Sequence, residues 1–93
     1  MFGTLLTVEC IIYEKHSLKE KRAVLQRIIV RTRQKYNVSI AEVDHQDVWQ
    51  RTKLAIAFVS SSKKICEQTM QDILDFLDSF PEIERTITEL EWI

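Results

Sequence analysis

Seven cations crowd one short stretch of this chain: Lys19, Lys21, Arg22, Arg27, Arg31, Arg33 and Lys35. At that density, guanidinium and ammonium groups are suited to neutralising a row of phosphates. On a helical wheel, Lys19, Arg22 and Arg33 line one flank with Gln26, while Arg27, Arg31 and Lys35 line the other. A helix over this stretch is roughly 30 Å long at about 1.5 Å per residue, enough to follow several phosphates. A blander explanation competes. Lys and Arg are good helix formers, and a solvated cationic face can simply pair with Glu67, Asp72, Asp75 and Asp78 further along.

Other chemistry-bearing residues are sparser. Glu42, Asp44, His45 and Asp47 cluster where carboxylates and one imidazole could hold a divalent cation. Polar residues in a turn beside a strand have the same composition, so ligand type alone does not make a metal site. Cys10 and Cys66 lie at core-patterned positions with nothing to lower their pKa, which argues against a nucleophile and against a disulfide framework. Gly3 is the only glycine, so no glycine-rich loop can cradle a phosphate. Neither catalysis nor a cofactor is expected. Trp49 lies in a polar stretch between Asp47 and Arg51, which can brace it through a charge-assisted pair. Aromatic area dominates small cores, so Trp49 is read as packing rather than as an interface anchor, and Trp92 as core or open-face cover.

These residues must be positioned by the elements around them. Residues 4–13 alternate, with Leu6, Val8, Cys10 and Ile12 on one face of a strand. Ser17-Leu18-Lys19-Glu20 is a capping box, in which Ser17 accepts from the amide three residues on and Glu20 reaches back to the Ser17 amide. The helix it opens runs to about Tyr36, with Leu18, Leu25, Ile28, Ile29, Thr32 and Tyr36 in its buried stripe. Residues 38–43 form a second strand, 44–52 a loop and 54–59 a third, nearly continuous apolar strand. A second helix follows Ser60-Ser61-Ser62 with Ile65, Cys66, Thr69, Met70, Ile73, Leu77 and Phe80 inward, and Pro81 ends it. Residues 83–93 close the chain as a strand.

The order β-α-β-β-α-β predicts an α+β, ferredoxin-like split βαβ sandwich over residues 1–93, a single domain. Right-handed crossovers put both helices on one face of a four-stranded antiparallel sheet, with the first and third strands central. The other face is left uncovered. Leu5, Ile11, Tyr13, Ala55, Ala57 and Val59 fall on it, an apolar surface suited to a homodimer or a protein partner. An RNA-recognition motif shares this topology but stacks bases on aromatic residues of the first and third strands; here those positions offer only Tyr13, near one end.

The net charge of −1 seems to exclude a polyanion partner until the chain is divided. Residues 15–64 hold twelve Lys and Arg against four Asp and Glu, a net of +8. Residues 65–93 hold one Arg against eight acids, a net of −7, and residues 1–14 add −2. Any phosphate contact therefore runs through Lys19, Lys21, Arg22, Arg27, Arg31 and Arg33, with Arg51 and Lys53 as extensions, and is sensitive to salt. The start lacks a basic leader and no apolar run approaches a membrane span, so a cytoplasmic protein with no membrane partner is expected.

Three segments together carry a resemblance: Ser17-Leu18-Lys19-Glu20-Lys21-Arg22, Asn37-Val38-Ser39-Ile40-Ala41-Glu42-Val43 and Asp47-Val48-Trp49-Gln50-Arg51. In order and spacing they resemble the YlxP-like family of small bacterial proteins of unknown function, over essentially the whole chain. The resemblance implies a ferredoxin-like fold and, because members are often encoded beside translation initiation and ribosome-maturation factors, a role near the ribosome. It brings no catalytic residue or cofactor, and His45-Gln46 fills the variable part of the loop, so the metal reading gains nothing. The expectation is a non-enzymatic cytoplasmic protein, a homodimer, that associates with ribosomal or other structured RNA through its basic first helix. The alternative is a homodimeric protein–protein module using the open sheet face without nucleic acid. A small regulatory ligand domain requires a pocket at a dimer seam, and no small-molecule substrate is identified.

Overall fold

Strand alternation and helical stripes resolve into one sheet backed by two helices. The computed structural model describes all residues, 1–93. The elements run β1 (Phe2–Ile12), α1 (Leu18–Lys35), β2 (Ser39–Asp44), β3 (Arg51–Ser60), α2 (Lys63–Asp78) and β4 (Ile83–Trp92). The sheet order is β2-β3-β1-β4, all antiparallel, which is the α+β ferredoxin-like arrangement with β1 and β3 central.

Register decides what each face carries. Leu6 lies opposite Ile56 and Val8 opposite Leu54, while Ile40 of β2 joins the same row beside Ile56. All five are essentially inaccessible to water, beneath Leu25 and Ile28 of α1 and Met70, Ile73 and Leu77 of α2. At about 1.5–3 kcal/mol for each buried aliphatic side chain, this layer supplies the main folding drive. Each helix start is capped: Ser17 Oγ accepts from Glu20 N (3.2 Å) and Ser62 Oγ from Ile65 N (3.2 Å). Glu20 reaches back one residue further than expected, to the His16 amide at 3.5 Å.

Several expectations need correction. β3 begins at Arg51 rather than at 54, because Thr52 turns inward opposite Cys10 and extends the alternation. Ile65 is 52% exposed, since it lies about 100° around the helix from Cys66, the centre of the buried stripe. Trp92 is neither core nor open-face cover. Opposite Thr4 it projects to the helix side at the sheet's rim, where Lys63 Nζ lies 5.7 Å from its ring. Tyr13 falls just beyond β1, exposed, with its hydroxyl pKa held above the usual value by a hydrogen bond with Glu84.

Candidate nucleic-acid interface

The cations of α1 do not form one surface. Lys21 leaves the set altogether: it is 1% exposed, in the middle of the stripe formed with Val24, Leu25, Ile28 and Thr32. Its ammonium donates to the carbonyls of His45 (2.6 Å) and Val48 and pairs with Glu42 Oε2 at 2.9 Å. With its donors engaged by three partners, Lys21 cannot reach a phosphate. It ties α1 to β2 and to the following loop instead. A charge is tolerated at this depth because it is paired and hydrogen-bonded at once.

The other six cations divide by neighbour. On the flank facing α2, Arg27 forms an ion pair with Glu82. Lys35 Nζ lies 4.7 Å from the centroid of Phe76 and 5.7 Å from that of Tyr36, within cation–π range. On the flank over β2, Arg33 donates through its guanidinium Nη2 to the Ile40 carbonyl at 3.0 Å, which anchors the head group but leaves its charge unneutralised. Lys19, Arg22 and Arg31 are exposed, and none of the three forms an ion pair.

The acids expected to neutralise α1 are engaged elsewhere. Asp78 is held by Arg85 in a two-pronged pair (2.7 and 2.8 Å), which lowers its pKa below the ordinary 3.8. Asp72 and Asp75 accept from Gln68 and Gln71, one turn back on α2. Of the acids in residues 65–93, only Glu82, beyond Pro81, forms an ion pair with the first helix.

Arg51 and Lys53 are displaced as well. Paired with Ile11 and Glu9 of β1, they project onto the open face, with the sheet between them and α1. Arg51 Nη2 lies 3.6 Å from Glu9 Oε1, so the expected brace with Asp47 does not form. They are not extensions of the helix surface.

The polar cluster around the loop separates onto two sides. Glu42 accepts from Thr52 Oγ1 at 2.6 Å and faces Lys21 under the helix. His45, held in the left-handed region at φ 64°, turns to the open face, where its Nε2 lies 2.8 Å from Glu9 Oε1. That hydrogen bond, aided by the charges of Lys53 and Arg51, holds Glu9 below the usual carboxylate value. No three His, Cys, Asp or Glu side chains converge as a metal-holding group. Burial pushes the Cys10 thiol up to about 11, well away from a nucleophile's range. Trp49 is half-buried and packs on His16 with ring centroids 5.7 Å apart. Sequence reasoning missed Lys21 as a core residue and Glu9–His45 as a pair. The first had a signal, the spacing of Lys21 with Leu25, Ile28 and Thr32; the second joins segments 36 residues apart and had none.

With these positions established, the chain can be set beside known proteins. Residues 4–90 match the family model described as "Protein of unknown function (DUF503)". The chain belongs to that family. A relative from Bacillus subtilis (strain 168), "Uncharacterized protein YlxP", is 62% identical over 84 residues, covering 90% of this chain and 91% of its own. The resemblance carried by the three motifs is therefore shown. Among solved structures, a point mutant of SnoaB, a cofactor-independent oxygenase from Streptomyces nogalater, superposes with a TM-score of 0.56. It covers 98% of this chain and 90% of its own at 7% identity, a likeness that shows the fold alone. No helix of the chain is long and apolar enough to cross a membrane.

Proposed function

We propose that this DUF503-family chain is a non-enzymatic cytoplasmic protein that associates with structured RNA, ribosomal or other, through the outer face of α1. One observation carries the reading: Lys19, Arg22, Arg31 and Arg33 are exposed along one helix with no carboxylate paired to any of them. Lys19 and Arg33 are separated by about 21 Å of helix axis, so the cations can follow a backbone rather than a single anion. The contact is to phosphates and to shape. Neither β1 nor β3 presents an aromatic ring on its open face, which disfavours stacking on single-stranded bases. The chemistry-bearing side chains have structural partners instead: Glu42 holds Lys21, His45 holds Glu9, and Cys10 is buried.

The test is fluorescence anisotropy with a labelled RNA hairpin and with ribosomal RNA across a salt series. Binding at low salt that weakens as salt rises is expected, and replacing Lys19, Arg22 and Arg33 together by Glu removes it. No binding at low salt, or binding indifferent to the triple replacement, would falsify the assignment.

A further inference from the structure

The side of the sheet away from the helices has a chemistry of its own. Three rows cross it from β2 to β4 in register: Ser39, Ala57, Leu5, Glu91; then Ala41, Ala55, Thr7, Glu89; then Asp44, Lys53, Glu9, Ile87. In the first two rows small residues lie on β2 and β3, Leu5 and Thr7 on β1 and acids on β4, while the third row is charged except for Ile87. Val59 and Ile87 add 63% and 47% exposed apolar side chains at its margins. A solvated sheet face ordinarily carries polar residues along its central strands, and here alanine, leucine and isoleucine hold many of those positions.

We infer that this face is covered by a second copy of the same chain, packed sheet to sheet about a two-fold axis running along the strands between β1 and β3. That operation keeps each row and exchanges its ends. Ala57 of one copy then lies over Leu5 of the other, a small residue against a large one. Lys53 lies over Glu9, adding a cation of the other copy to the His45 and Arg51 that Glu9 meets in its own, and the symmetry repeats both contacts. β4, with Glu89 and Glu91, lies over Ala41 and Ser39 of β2, where no acid opposes it. The other in-plane two-fold, across the strands, sets Glu91 against Glu84 and is repulsive. Edge-to-edge pairing of β4 with its copy, centred on Glu89, places two Glu89 side chains side by side and is disfavoured for the same reason.

Size agrees with the arrangement. The strands hold 11, 6, 10 and 10 residues. At roughly 3.3 Å per residue and about 4.8 Å between strands, the open face measures about 600 Å². Two copies bury about 1,200 Å², at the lower limit of stable protein interfaces. An RNA partner does not suit this face, since Glu9, Asp44, Glu84, Glu89 and Glu91 outnumber its cations Arg51 and Lys53. The dimer is independent of the helix surface and leaves α1 of both copies on the outside.

Sedimentation equilibrium of the full chain tests the inference. A dimer is expected, and Ala57→Arg converts it to monomer while far-UV circular dichroism stays unchanged. Because Ala57→Arg inserts bulk beside a central strand, a charge swap provides a second readout. Lys53→Glu or Glu9→Lys alone weakens dimerisation by roughly tenfold or more, about 1.4 kcal/mol per factor of ten, and mixing the two single variants restores it as a heterodimer, because opposite charges then meet only across the seam. A monomer at every accessible concentration overturns the inference. So does a dimer indifferent to both Ala57→Arg and the charge swap.

Discussion

The two flanks of α1 carry the same residue types and have different fates. Toward α2, Arg27 meets Glu82 and Lys35 lies over Phe76, and of that flank's cations only Arg31 stays unpaired. Toward β2, Lys19 and Arg22 meet no acid, and Arg33 touches only a backbone carbonyl. Between them, Lys21 is sealed in the core one residue away from the exposed Arg22. Cations on a helix become a binding surface only where the neighbouring element leaves them unpaired, and that depends on which side of the helix the acidic part of the chain reaches.

The largest effect that would break this comparison is at Lys21. Lys21→Ala leaves Glu42 and two carbonyls without their partner and costs about 3 kcal/mol, read as a lower midpoint in urea unfolding. Lys21→Glu adds like-charge repulsion with Glu42 and costs more. If Lys21→Ala unfolds at the wild-type midpoint, the buried role is wrong and Lys21 returns to the helix surface.

Next in size is the contrast between the flanks. Replacing Lys19 and Arg22 by Glu should weaken RNA binding and reduce the salt slope by about 0.7–0.9 for each phosphate that is no longer neutralised. The same change at Arg27 and Lys35 should do much less, because those charges already have partners. Equal weakening from both flanks would mean that the ion pair and ring contacts do not hold in solution.

Smaller still is the acid limb of stability. Glu9 and Asp78 have folded-state values below their ordinary 4.5 and 3.8. Each therefore contributes stability that is present above its unfolded value and lost as pH falls through the folded one. Unfolding midpoints should decline below about pH 4.5. Arg85→Gln should flatten that decline by less than about 1 kcal/mol, since Asp78 is 46% exposed and screened by water. The least costly test is at Cys10, whose thiol should stay unreactive toward a thiol reagent at neutral pH until the chain unfolds.

Much of the fold was legible because its signals are local. Alternation at Leu6, Val8, Cys10 and Ile12, the caps at Ser17 and Ser62, and the stop at Pro81 each depend on residues a few positions apart. The apolar character of the first and third strands also placed them at the sheet's centre. The site was less legible. Charge type identified Lys19, Arg22 and Arg33 as exposed, yet the same rule misplaced Lys21, whose burial depends on carbonyls of a loop 24 and 27 residues away. Ile65 failed in the opposite sense, as an apolar residue just outside the stripe that α2 buries.

By itself, then, the sequence determined the element order, the helix-facing side of the sheet and the division of charge into a basic middle and an acidic end. These follow from periodicity and composition, which short-range sterics and burial translate directly into structure. Only the tertiary structure decided which cations remain free. Ion pairing falls off within a few ångströms, and the distances from Arg27 to Glu82, Lys21 to Glu42 and Arg51 to Glu9 are set by packing between segments far apart in the chain.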